Sequence, residues 1–198
     1  LGKYLSLIIL ESKRYRLKIL AYCLMPNHVH FIGIPEKEDS LGNVFKYVNM
    51  KYSQYHNKKI HSRGHLFQQR FFSCVMDEAY TIACARYIER NPVRAKLVKK
   101  PWEWKWSSAR LHCQKEGESE DILEANKLFT YIDYEQKKWQ EFVEYSDDAE
   151  QVNKIKELTT RGRPLGGPQF VKKLEAKLNR VFSFRSRGRP KKRKREEV

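Results

Sequence analysis

Two histidines, His28 and His30, offer the first chemistry in this sequence of 198 residues. Apolar residues flank them in an extended pattern, and a strand would place both side chains on one face, about 6–7 Å apart along it. Two imidazoles on one face can converge on a single metal ion. Ordinary surface is the alternative, although a buried imidazole would need a partner or a ligand. The pair alone therefore leaves both roles open.

A second pair, Tyr87 and Asn91, lies in a helical pattern with the four-residue spacing that puts two side chains on one helix face. A tyrosine hydroxyl beside a metal ion and basic residues can attack phosphorus, because the cations offset charge developing on the phosphate. The Asn91 amide oxygen could complete a ligand set with the two histidines. Spacing alone also allows a packing role for Tyr87 and a simple helix stop at Asn91, which precedes Pro92.

Three motifs in order resemble the single-tyrosine HUH transposases, and most closely their REP-associated and IS200-like branches. They are residues 25–32 (MPNHVHFI), 64–71 (GHLFQQRF) and 86–95 (RYIERNPVRA). The resemblance extends to Trp106-Ser107-Ser108 and covers residues 1–112. It implies that His28 and His30 bind Mg²⁺ or Mn²⁺, with Asn91 as the third ligand, and that Tyr87 is the nucleophile.

The implied reaction is cleavage of single-stranded, hairpin-containing DNA through a 5′-phosphotyrosine link, followed by rejoining, without a nucleotide cofactor. Tyr22 and Tyr80 suit the nucleophile role less, because neither has a ligand-type residue four positions later. Arginines near the motifs and in two Arg-Gly-Arg-Pro repeats are expected to contact DNA. These are Arg70, Arg86, Arg90, Arg94, Arg161, Arg163, Arg187 and Arg189.

Apolar periodicity predicts the elements that position these side chains. In order they are a helix over 4–16, strands over 19–25 and 28–34, a helix from Leu41, a strand over 66–76, and a helix from Asp77 or Glu78 to Asn91. This order predicts an α+β, ferredoxin-like sandwich, with an antiparallel sheet and helices on one face. Its first strand would lie upstream of Leu1, so we expect an N-terminally truncated chain with a gap beside the histidine strand and impaired activity.

Charge divides the chain, whose net charge is +16. Residues 1–114 carry +12, 115–150 carry −8, and 151–184 and 185–198 carry +6 each, which indicates a polyanionic partner for the basic parts. We expect a catalytic domain over 1–112, an acidic helical connector over 113–158, a basic helical DNA-binding segment over 159–184 and a disordered basic tail over 185–198.

The tail repeat, Arg187-Gly188-Arg189-Pro190, resembles an AT-hook, which lays arginines into the minor groove of duplex DNA. A disordered segment that binds any polyanion is the alternative for the tail. The upstream repeat, residues 161–164, could instead be a linker and helix entry.

Several protein classes are excluded or disfavoured. No apolar run approaches the ~18 residues of a membrane span, and charges interrupt the start of the chain, so a cytoplasmic protein is expected. The four cysteines are widely spaced, which argues against a disulfide framework or a zinc ribbon.

A non-catalytic DNA-binding protein of the same fold is an alternative function. A replication initiator or relaxase is disfavoured by the small size and by residues 91–95. Relatives include monomers and homodimers, and the sequence does not choose between them.

Overall fold

A computed structural model describes residues 1–115 and 127–182 and has an α+β architecture, as predicted. Its elements are α1 (Gly2–Tyr15), β1 (Leu17–Leu24), β2 (Val29–Pro35), α2 (Ser40–Lys59), α3 (Glu78–Glu89), α4 (Asn91–Arg94), a 3₁₀ turn (Pro101–Glu103), α5 (Ala109–His112), α6 (Leu128–Tyr131), α7 (Gln136–Glu144), α8 (Ala149–Thr160) and α9 (Pro168–Leu178). None of the described helices is long and apolar enough to cross a bilayer.

Strands β1 and β2 form an antiparallel hairpin that sets the register of the histidine strand. His30 lies opposite Cys23, and the Met25 N–H donates to the His28 carbonyl across the turn at 2.8 Å. The register slips between Ile19 and Ala21, so the intervening residue has no partner on β2. Strand β1 is thereby fixed against β2 on one edge, while residues 106–108 bond to its other edge.

The helices lie on both faces of this sheet, whereas the sequence predicted them on one. Leu24 of β1 packs in one cluster with residues of α1 and α2, such as Ile8 and Val48. The neighbouring Cys23 packs in the other cluster with residues of α3, such as Ala85. The reason lies in the sequence of β1. From Ile19 to Leu24 it is continuously apolar and does not alternate with polar residues, as is typical of a strand covered on both faces.

The strand predicted over 66–76 is wrong, because these residues form an irregular segment in which only Met76 makes a bridge, to Leu165. Apolar side chains that would be buried in a sheet are exposed, including Phe72 at 55%. Within the described residues no strand pairs with β2 on the side away from β1. That edge of β2 and several of residues 66–76 instead line one cavity of about 1160 Å³.

Several apolar side chains from residues 127–165 belong to the main core. Leu128, Trp139, Val143, Ile155 and Leu165 are buried in the same apolar cluster as the α3 side chains. Helices α6 and α7 lie in the acidic region that was expected to be helical, and α9 lies within the segment over 159–184 that was also expected to be helical. The acidic region therefore packs against the body of the protein through apolar side chains.

Candidate active site

The turn before β2 and the start of β2 bring the two histidines together. The ring centroids of His28 and His30 are 4.9 Å apart and the rings are nearly perpendicular. His28 Nδ1 lies 2.7 Å from Asn27 Oδ1. Because a carbonyl oxygen only accepts, the ring donates through Nδ1, which leaves the lone pair of His28 Nε2 available.

His30 provides the strongest indication of a ligand. Its Nε2 atom is buried and has no hydrogen-bond partner among the described residues. Burial, and after it the charges of His28, Arg94 and Lys156, lower the pKa of His30 to about 3. The ring is therefore neutral at physiological pH, with an unpaired nitrogen that suits a divalent cation.

Tyr87 approaches this pair from α3 and lies beside His30, with ring centroids 5.7 Å apart. The side chain is 8% exposed, and the guanidinium of Arg94 lies 4.3 Å from its ring centroid. Burial raises the pKa of Tyr87, while the charge of Arg94 opposes that rise. The hydroxyl is therefore protonated at neutral pH, and nucleophilic attack requires a proton acceptor.

Asn91 is buried just beyond Tyr87, but its amide oxygen faces Arg94. Arg94 Nη2 donates to Asn91 Oδ1 at 2.8 Å, and the same nitrogen donates to the Tyr87 carbonyl. Asn91 Nδ2 is buried without a described partner. Arg94 therefore occupies one lone pair of the Asn91 oxygen, and the second lone pair is the one that could bind a cation. No group of three or more His, Cys, Asp or Glu residues able to hold a metal occurs among residues 1–115 and 127–182.

Two of the arginines expected to contact DNA have other partners. Arg86 and Arg90 are 7% and 6% exposed. Arg86 donates to the carbonyls of Phe142, Tyr145 and Ser146, and Arg90 donates to Val143 and Asp147. The prediction of phosphate contacts is wrong for these two, because the segment after α7 covers their guanidinium groups.

Arg94 also pairs with Asp147, at 3.1 Å, but is less buried than those two. Arg70 is exposed. These two arginines can therefore still face a DNA strand.

The upstream Arg-Gly-Arg-Pro repeat is a helix end and not an extended hook. Gly162 has φ of +61°, and N–H groups of Gly162 and Arg163 bond back to Thr159 and Leu158. This is the left-handed glycine cap that commonly terminates helices. Arg161 pairs with Glu157 and Arg163 donates to the Val181 carbonyl. This copy therefore has the linker conformation that the sequence left as its alternative, and DNA contact by Arg161 and Arg163 stays a prediction; Arg187 and Arg189 lie outside the described residues.

Two residues near the site were missed by the sequence analysis. Glu89, at the end of α3, is fully buried and accepts hydrogen bonds from Ser108, His112 and Trp139. Lys156 of α8 lines the same cavity as Tyr87. For Glu89 the sequence carried one signal, a charged residue directly after Ile88 on an apolar helix face. For Lys156 it carried none, because α8 is a largely polar helix.

Comparison with known proteins shows what part of the chain resembles. A model of the IS200-like transposase family matches residues 3–91, which include both histidines, Tyr87 and Asn91. Searches of curated proteins and of solved structures found no significant match. Residues 3–91 are therefore similar to the IS200-like transposases, a family whose function is DNA transposition.

Proposed function

We propose that this protein cleaves and rejoins single-stranded DNA, with Tyr87 as the nucleophile and a divalent cation held by His28 and His30. The observation that carries the proposal is the convergence of these three side chains on one cavity, although α3 and the histidine hairpin are far apart in the chain. The reaction needs no nucleotide cofactor, because the phosphodiester itself is conserved as a phosphotyrosine link.

The cation is Mg²⁺ or Mn²⁺ in this proposal. The neutral His28 and His30 rings supply two nitrogens, and Asn91 supplies an oxygen through the lone pair that Arg94 does not use. Such a small set leaves positions for water and phosphate oxygens, which Mg²⁺ retains as ligands. When bound, the cation polarises the scissile phosphate and offsets its developing charge.

The protein performs the bond exchange through Tyr87. Its hydroxyl oxygen forms a bond to phosphorus as its proton leaves, and the bond from phosphorus to the 3′-oxygen breaks. The 3′-oxygen takes up a proton and departs as a 3′-OH, while the 5′-phosphate stays on the tyrosine. Attack by another 3′-OH reverses these steps and rejoins the strand.

The DNA in this proposal is single-stranded and carries a hairpin. Arg94 and Arg70 contact its phosphates, and the tail residues Arg187 and Arg189 hold adjacent duplex. Base choice depends on the fold of the nucleic acid as well as on these contacts.

A non-catalytic DNA-binding protein is the second candidate function. It is favoured by the orientation of Asn91, whose oxygen bonds to Arg94 and not to the histidine site. A protein that keeps this arrangement with DNA bound would retain affinity for the strand without cleaving it.

Incubation with hairpin-containing single-stranded DNA and Mn²⁺ distinguishes these candidates. We expect a covalent protein–DNA adduct on a denaturing gel, and proteolysis with mass spectrometry should locate the DNA on the α3 peptide. Retained DNA binding without any adduct would support the non-catalytic candidate and overturn the proposed cleavage.

We expect His30→Ala to weaken Mn²⁺ binding by more than about 10-fold, because even residues that only support a metal ligand contribute about 10–100-fold to affinity. Isothermal titration calorimetry with Mn²⁺ measures this loss, and His61→Ala is the control because His61 is exposed elsewhere on the surface. Equal Mn²⁺ affinity in wild type and His30→Ala would exclude His30 as a ligand.

A further inference from the structure

Helix α8 contributes to the wall of the cavity that contains the candidate active site. Lys156, Thr159 and Thr160 line this cavity together with His30 and Tyr87. The helix lies outside residues 3–91, the segment that matches the transposase family. A part of the chain beyond the matched segment therefore borders the site.

Packing on both sides holds α8 in this position. Ile155, the neighbour of Lys156, is 3% exposed and belongs to the main core. After the helix, the Leu165 N–H donates to the Val75 carbonyl at 2.8 Å and the Asp77 N–H donates to the Leu165 carbonyl at 2.9 Å. These contacts fix the direction in which α8 presents Lys156.

Lys156 differs from the arginines around Tyr87 in its ion-pair partners. Arg86, Arg90 and Arg94 all lie within ion-pair distance of Asp147. Within the described parts of the chain, no carboxylate lies within ion-pair distance of Lys156. Its side chain lines the cavity that His30 and Tyr87 also line.

We propose that Lys156 binds a phosphate of the DNA strand at the His28, His30 and Tyr87 site. This inference rests on the proposed function, because it names a further residue that contacts the same substrate. An ammonium on a flexible four-carbon stem can follow a phosphate as its charge grows during attack, and it needs no partner to be displaced first. The C-terminal part of the chain thus supplies a cation to the transposase site.

The test compares Lys156→Gln with Lys154→Gln, which removes the same charge from the same helix. Lys154 is a matched control because its ammonium lies over the Tyr80 ring, 5.4 Å from the centroid. We expect Lys156→Gln to slow adduct formation by about 10- to 100-fold. It should also reduce the slope of log affinity against log salt by about 0.7, the value for one phosphate contact on a single strand. Lys156→Arg should restore part of the adduct rate and part of the salt slope. Lys154→Gln should match wild type in both quantities.

Each outcome decides the proposal separately from the proposed function. If wild type forms the adduct and Lys156→Gln matches its rate and salt slope, the role of Lys156 is wrong and the cleavage function stands. If wild type forms no adduct, the cleavage function fails, and the salt slope of binding still decides whether Lys156 contacts phosphate. Circular dichroism melting confirms that the variants fold, as expected for substitutions at an exposed position.

Discussion

Tyr87→Phe is expected to abolish the covalent protein–DNA adduct while leaving DNA binding within about 3-fold of wild type. The substitution removes one oxygen, and no other atom at that position can form a bond to phosphorus. The phenyl ring keeps the edge contact with His30 and the stacking of Arg94. The variant therefore separates loss of the nucleophile from loss of the fold.

The measurement pairs a denaturing gel for the adduct with fluorescence anisotropy for binding of the same hairpin strand. Tyr80→Phe is the matched control, because Tyr80 lies on the same helix and has no histidine neighbour of this kind. An adduct of normal yield in Tyr87→Phe would exclude Tyr87 and direct the search to the peptide that mass spectrometry then identifies.

Local patterns predicted the parts of the fold in which neighbouring residues decide the structure. The amphipathic stripe of α2 and the two apolar runs around Pro26 gave the correct helix and strands. Residues 66–76 carry an equally apolar pattern, but a strand also needs a partner within hydrogen-bond reach, and a cavity lies between this segment and the unpaired edge of β2. That requirement depends on residues distant in sequence, so periodicity could not show that β2 and this segment stay apart.

Dependence on residues distant in sequence also explains why phosphate contacts were predicted for two arginines that are buried. Arg86 and Arg90 flank Tyr87 in the sequence, where basic residues suit phosphate contacts. Their partners are carbonyls and the Asp147 carboxylate, more than 50 positions further along the chain. The neighbours of Arg86 and Arg90 in sequence suggested phosphate binding. The distant loop around Asp147 determines whether their charges are available to a phosphate.

The C-terminal part therefore contributes to the site in three ways. The Asp147 loop holds the arginines behind Tyr87, α8 brings Lys156 to the cavity, and Trp139 of α7 bonds to the end of the tyrosine helix. All three lie beyond the segment that matches the family. Loss of the Asp147 or Trp139 contacts should affect the position of α3, and the Trp139 contact allows the stronger test.

Glu89→Ala is expected to lower the free energy of unfolding by about 4 kcal/mol. The Glu89 carboxylate is completely buried and accepts from Ser108 Oγ at 2.6 Å, Trp139 Nε1 at 2.8 Å and the His112 ring. Alanine removes this acceptor from all three groups; the Ser108 hydroxyl can turn to the Tyr22 carbonyl at 3.3 Å, whereas each buried donor left unpaired costs about 1–3 kcal/mol. The space vacated by the carboxylate adds a cavity beneath α3.

Urea unfolding followed by circular dichroism measures this loss, and Glu36→Ala provides the control. Glu36 also pairs with a cation, Lys18, at 2.7 Å, but its side chain is 37% exposed. Removal of such a surface pair has little effect on stability, because solvent screens the two charges. A Glu89→Ala variant no less stable than Glu36→Ala would show that the buried network does not hold α3. If instead the variant is destabilised and Tyr87 still forms the adduct below its unfolding midpoint, the network supports the fold without setting the reactivity of the tyrosine.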